Sequence, residues 1–214
     1  MKDYLRDPET IQEESFRIIR ARIAEKKFSP VERVIVERVI HATADFSYAE
    51  NLYFSPDAVE SGLAALNKGF LVITDTRMAK AGINRGLLEA MGGEVRCILE
   101  EEGVEQLAQK KGITRAMAAM RYVALRVKEA VVLIGNAPTA LFTLVELFQE
   151  GVFSSPLVIG VPVGLVGAEE AKKALRDTSL PSITTMGPKG GTPVAVAIFH
   201  ALCHLVLEGK HGRG

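Results

Sequence analysis

Apolar positions along this chain follow two patterns. In some stretches they recur every third or fourth residue, and in others they form short unbroken runs. The alternation of the two predicts an α/β protein. Val31, Val34, Ile35 and Val39 make a helical stripe, with Glu32, Arg33 and Glu37 left polar. Ser29, Pro30 and Glu32 supply the cap, the first-turn proline and the capping box for that helix. Residues 10–23 read as an earlier amphipathic helix opened by a Thr10-x-x-Glu13 box. Ser55-Pro56 opens a helix through Leu66 that Gly69 closes. Residues 70–73, 95–99, 131–134 and 157–161, and a weaker segment near Ile183, are apolar runs of strand length. Between and after them lie helical stretches at 85–91, 103–110, 114–128, 138–148 and 168–175, and a long one at 194–207. Residues 45–54, with the string Glu50-Asn-Leu-Tyr-Phe, read as irregular.

Five buried strands alternating with helices predict a doubly wound, mostly parallel five-stranded sheet, flavodoxin-like, with helices on both faces. Residues 1–54 form a helical N-terminal extension and 55–208 the α/β core of a single domain, 1–214. No repeat, low-complexity tract or linker interrupts it. In such a sheet, ligands collect beyond the carboxyl ends of the strands. Attention therefore falls on residues 74–78, 135–139, 162–167 and 186–193.

Composition narrows the function. Lys plus Arg and Asp plus Glu are equal at 26 each, so no overall field points to nucleic acid or an anionic membrane. No apolar run approaches the roughly 18 residues of a membrane span, and residues 1–30 lack the apolar core of a signal peptide. A cytoplasmic protein is expected. The two cysteines, Cys97 and Cys203, are too few for a disulfide framework.

His41 is the residue with the plainest proton-transfer chemistry. It sits near the carboxyl end of its helix, where the terminal carbonyls favour a cation, and imidazole is a common general acid and base. Read alone, the position also fits a buried histidine satisfied by a carbonyl. Gly135-Asn136-Ala137-Pro138-Thr139 follows a strand and opens a helix, so its free amides suit a carboxylate or phosphate; an ordinary turn fits equally. Met186 to Pro193 combines adjacent glycines, Lys189 and Thr192 before a helix, a stronger anion candidate. Neither a Walker loop nor the Gly-x-Gly-x-x-Gly spacing occurs, which argues against nucleotide cofactors. Arg115, after the cap Thr114, is able to clamp a carboxylate, although a solvated first-turn arginine is the commoner case. His200 and His204 lie four apart on a helix without a third metal ligand or a metalloprotease glutamate.

Taken in order, several strings resemble the precorrin-8X methylmutase family of corrin-ring biosynthesis. They are Glu14-Ser15-Phe16, Val36 to Thr43, Phe54-Ser55-Pro56, Thr74-Asp75 with Met78 and Ala81-Gly82-Ile83, Thr114-Arg115, Gly135 to Leu141, Gly160 to Gly164 with Val166-Gly167, and Gly190-Gly191. They span about residues 10–207. The resemblance implies a cofactor-free, metal-free isomerase that moves a ring methyl from C11 to C12 of a carboxylated tetrapyrrole, with His41 as proton donor and acceptor. It implies substrate contacts from Ser15, Thr43, Thr74, Asp75, Arg115, Gly135, Asn136, Thr139, Gly164, Lys189, Gly190 and Gly191. Pro188 stands where the family more often has a basic residue, with Lys189 beside it. A homodimer and hand-off of product to the next enzyme are further implications. A carrier that holds a corrinoid without transforming it is the rival reading.

Overall fold

The computed structural model describes residues 4–127 and 129–211. Helices α1 (Pro8–Arg22) and α2 (Pro30–Thr43) lead into a short α3 (Tyr48–Asn51) and strand β1 (Leu52–Phe54). Then follow α4 (Ala58–Leu66), β2 (Leu71–Thr74), α5 (Arg77–Gly82), α6 (Arg85–Ala90) and β3 (Glu94–Cys97). A 3-10 turn at Ile98–Glu100, α7 (Val104–Lys111) and α8 (Arg115–Ala124) precede β4 (Val131–Ile134). The chain ends with α9 (Pro138–Gln149), β5 (Leu157–Gly160), α10 (Ala168–Arg176), β6 (Ser182–Thr185) and α11 (Thr192–His211).

The sheet has six strands in the order β1-β6-β5-β4-β2-β3, one more than the sequence predicts. The five expected strands are all parallel. Counted among themselves they run 2-1-3-4-5, a doubly wound order. The extra strand comes from the supposedly helical extension: β1 pairs antiparallel with β6, Leu52 opposite Thr185. Its three half-buried residues carry no period of their own, so only the distant partner defines it.

Strand side chains alternate between two cores. Val131 and Leu133 join the layer built from α1, α2, α4, α6 and α11. Val132 and Ile134 face α7 to α10. Helix α11 lies across the first layer against α2, α4 and α5. Its Thr192–Gly209 stretch is long and apolar enough to span a membrane by composition, contrary to the sequence reading, but 61% of that stretch is buried inside the fold. Those apolar side chains form core.

Local caps explain the remaining differences. The Ser29–Glu32 capping box is present at α2. At α1 the cap is Asp7, whose carboxylate takes the Thr10 amide and hydroxyl, so the helix starts ahead of the Thr10 box. Ser55 caps no helix, because its hydroxyl accepts the Ser182 amide and ties the start of α4 to β6. Helix α5 has no counterpart in the sequence reading; Thr76 caps it by accepting the Ala79 amide.

Candidate active site

The carboxyl edge of the sheet is closed by interlocked turns. The Gly191 amide donates to the Val161 carbonyl at 2.8 Å, and the Gly164 amide to Pro188 at 3.1 Å, which joins the β5–α10 and β6–α11 turns. A β-carbon on Gly190 (φ 157°) would sit 2.2 Å from the Val161 oxygen, so only glycine allows this approach. Gly135, after β4, lies directly against the Thr192 backbone.

The N-terminal segment is fastened to this cluster by charge. Lys189 Nζ donates to Asp45 Oδ2 at 2.6 Å and to Ser47 Oγ at 2.9 Å. The Lys189 bond, followed by the Ser47 hydroxyl and amide, holds the Asp45 carboxyl down at about 2. The Tyr48 hydroxyl donates to the Gly190 carbonyl at 3.4 Å. Asp45 follows Ala44, a left-handed residue that ends α2, and His41 lies in the last turn of that helix. His41 therefore lies one helical turn ahead of the segment that Lys189 and Gly190 hold.

His41 is exposed, which removes the buried-histidine reading. Its ring stacks on Phe16 with centroids 4.9 Å apart and planes 10° from parallel. The Arg38 and Arg20 guanidinium groups lie 5.5 and 5.6 Å from the same Phe16 centroid. Face stacking fixes the imidazole plane and leaves the nitrogen-bearing ring edge free for proton exchange. Ser15 adjoins Phe16, its hydroxyl donating to the Ile11 carbonyl at 2.8 Å. Thr43 likewise donates back to Val39 and accepts the Asp45 amide, so it shapes the helix end.

The switch-point turn differs most from expectation. The Gly135, Asn136 and Ala137 amides, expected to be free for a ligand, all donate to the Asp75 carboxylate, at 3.2, 2.7 and 2.9 Å. Burial pushes the Asp75 carboxyl up, and the three amides oppose that shift without offsetting it. Thr74 is fully buried, its hydroxyl engaged with the Thr76 and Arg96 carbonyls. These residues thus build the turn from inside. Of the group, the Asn136 residue is exposed.

A further polar set lies at the starts of α8 and α9. The Thr114 and Thr139 hydroxyls are 3.2 Å apart, and Arg115 pairs with Glu105 at 2.8 Å, both half exposed. The structure links Arg115 to Thr139 through Thr114, and does not join it by contact to His41 or Lys189. Around the glycine-rich turn, Val163, Leu165, Val166 and Met186 are exposed by 49, 94, 88 and 46%. Such an apolar rim suits a large flat ligand or a protein partner. A cleft of about 570 Å³, lined by residues such as Arg77, Lys80 and Glu100, flanks β3 and includes none of the candidate residues. No group of three or more His, Cys, Asp or Glu side chains among the described residues is arranged to hold a metal. His200 instead accepts the Asn84 amide on Nε2 at 3.0 Å.

Comparison with known proteins decides the family. The precorrin-8X methylmutase pattern matches residues 10–205, nearly the whole chain. The chain belongs to the precorrin-8X methylmutase family. It is 45% identical over 197 residues to the cobalt-precorrin-8 methylmutase of Methanothermobacter thermautotrophicus, covering 91% of this chain and 92% of that protein. To the Salmonella typhimurium cobalt-precorrin-8 methylmutase it is 44% identical, covering 96 and 99%. The precorrin-8X methylmutase of a Sinorhizobium species is 39% identical, with 94 and 96% covered. The crystal structure of the Thermus thermophilus precorrin-8X methylmutase superposes with a TM-score of 0.86 at 42% identity, over 94% of this chain and 98% of that one.

Within this member of the family, sequence reasoning missed Phe16, Asp45, Tyr48 and Lys172 as parts of the site. Phe16 stood within the Glu14-Ser15-Phe16 string, and Lys172 left a signal of another kind. Ala168, Ala171, Lys172 and Leu175 form the buried stripe of α10, so a lysine occupies a core position of an amphipathic helix. Its Nζ donates to Thr185 Oγ1 at 3.0 Å and to the Lys189 carbonyl at 2.7 Å.

Proposed function

We propose that this protein is an isomerase of cobalamin biosynthesis that moves a ring methyl from C11 to C12 of precorrin-8X or its cobalt-bearing counterpart. The observation that carries the reading is His41. The family to which the chain belongs acts on this class of tetrapyrrole, and here an exposed, ring-stacked histidine ends the helix whose following segment is tied to a glycine-rich turn.

The bond from the methyl carbon to C11 breaks as the bond to C12 forms, so the molecular formula is unchanged. His41 gives a proton to the macrocycle, which makes the conjugated system a better electron sink, and takes it back after the shift. Stacking on Phe16 holds the ring ready, and the substrate's acid arms orient the macrocycle. For those arms the reading assigns the outward side of the glycine-rich turn, Arg115 once it leaves Glu105, and the Asn136 side chain. Thr74, Asp75 and Gly135 support the turn from within. Cobalt, where present, travels with the substrate. A cytoplasmic homodimer, with the exposed apolar rim covered by macrocycle and second copy, completes the reading, as does product hand-off to the next enzyme.

The test is absorption spectroscopy of the purified protein with metal-free and cobalt substrates. Conversion to a product of changed spectrum is expected, abolished in His41→Ala with tetrapyrrole binding retained. Binding without conversion in the wild type would make the protein a carrier. Near-normal turnover in His41→Ala would remove this residue from the chemistry.

A further inference from the structure

Two lysines meet at the glycine-rich turn, and their surroundings differ. Lys189 is half exposed, and its charge is neutralised at 2.6 Å by Asp45. Lys172 is fully buried, and its hydrogen-bond partners are a hydroxyl and a carbonyl, both neutral. A buried ammonium without a carboxylate in contact is costly, and its field is poorly screened by solvent. The Lys189 carbonyl receives a second donor, the Thr185 hydroxyl, at 2.7 Å.

Peptide geometry carries this polarisation to the other side of the turn. The Lys189–Gly190 bond is trans, as are the other described peptide bonds. In a trans peptide the carbonyl and the following N–H point in opposite directions. With the Lys189 carbonyl drawn inward by two donors, the Gly190 N–H points away from Lys172. It has no acceptor among the described residues. An amide polarised through its carbonyl is a stronger donor.

We propose that Lys172, rather than Lys189, supplies the charge that equips this turn to bind a carboxylate arm of the tetrapyrrole, acting through the Lys189–Gly190 peptide with the Gly190 N–H as the contacting donor. This rests on the turn being an acid-arm subsite, as read above. Lys172 is a positioning residue and touches no substrate atom.

The charged groups around Lys172 are few. From its own helix Glu169 and Arg176 face it with opposite signs, and burial, with Arg176 adding to it, outweighs Glu169 to bring its pKa down to about 8. Strands β5 and β6 carry no ionisable side chain. On α9 the ionisable residue is Glu146, held by Arg121. The turn offers Lys189, engaged with Asp45, and α3 offers the Tyr48 hydroxyl on the Gly190 carbonyl.

The experiment compares Lys172→Met and Lys189→Met by steady-state kinetics and thermal melting at pH 7. Lys172→Met is expected to raise KM tenfold or more with kcat within threefold. Its melting temperature should be no lower than wild type, since a buried charge has been removed; a purely structural lysine would lower it. Lys189→Met should raise KM less than threefold. A KM within twofold of wild type in Lys172→Met, beside a larger rise in Lys189→Met, overturns the inference and leaves the acid-arm reading standing. No change in either variant overturns both. Should Lys172→Met not fold, the wild-type enzyme followed from pH 7 to 9.5 decides the question. Neutralising the ammonium should raise KM tenfold at near-constant kcat, and a flat KM overturns the proposal.

Discussion

Two glycines of one turn, Gly190 and Gly187, offer a controlled measurement of how tightly the site is interlocked. At Gly190 an alanine β-carbon would lie 2.2 Å from the Val161 oxygen and 2.9 Å from its carbonyl carbon. A relaxed carbon–oxygen contact is about 3.3 Å, so the turn must retreat by about 1 Å. That retreat forfeits the Gly191–Val161 hydrogen bond, worth about 0.5–1.5 kcal/mol, and overpacking strain adds about 1–3 kcal/mol. An unfavourable φ for alanine contributes about 1–3 kcal/mol more, partly relieved by the same movement. The expected loss is about 3–5 kcal/mol. Gly187 has φ +67° and nothing within 4 Å of the added carbon, so alanine there meets only the left-handed backbone cost, about 1–2 kcal/mol. The entropic gain from stiffening the unfolded chain is common to both. Equilibrium urea unfolding of Gly190→Ala and Gly187→Ala should therefore separate them by about 1–4 kcal/mol. KM should rise in Gly190→Ala alone. Unfolding free energies within about 0.5 kcal/mol of each other would refute the interlock, and with it the geometry that links β5, β6 and the N-terminal segment.

Three other outcomes are expected. Arg115→Ala should weaken tetrapyrrole binding tenfold or more, as loss of one charged contact costs about 1.5–3 kcal/mol; Glu105→Gln, which frees Arg115, should tighten it, and titration by absorbance reads both. The Asp45 carboxyl is held below its unfolded value, so its tie to Lys189 stabilises the fold above about pH 4 and is lost as pH falls toward about 2; Asp45→Asn should flatten that part of an acid-unfolding curve, by a small amount because the pair is partly exposed. Turnover should proceed in nucleotide-free, metal-chelated buffer with product and substrate equal in mass, and a requirement for a methyl donor or nicotinamide would show a different reaction.

What the sequence made legible follows from what each feature depends on. Strand β4 is buried on both faces and reads as an unbroken Val131–Ile134 run. The Ser29 capping box depends on contacts three residues apart, and it was legible for that reason. Strand β1 depends on β6, far along the chain, and Leu52-Tyr53-Phe54 has no pattern without that partner. His41 drew attention in the sequence because its chemistry is its own. Asp75 did not, because its role lies in three amides some sixty residues away. Lys172 stands in the buried stripe of a helix that also carries Glu169, Glu170, Lys173 and Arg176, and its role depends on the neighbouring Thr185 and Lys189.

The two features that most invited an anion, the start of α9 and the Lys189 ammonium, are each already matched by a carboxylate of the protein itself. Asp75 fills the first and Asp45 the second. The sequence gives no hint of this, since a glycine turn and a lysine look alike whether or not an acid of the same chain occupies them. Physically it resolves how a chain with equal numbers of acids and bases is suited to a polyacidic macrocycle. Open cationic turns would repel one another across the carboxyl edge while the site is empty. Internal carboxylates hold the turns in shape instead, so little ordering remains when substrate arrives. On the proposed reading, recognition then falls to the Gly190 amide, which has no acceptor among the described residues, and to Arg115, whose exposed partner Glu105 is readily exchanged.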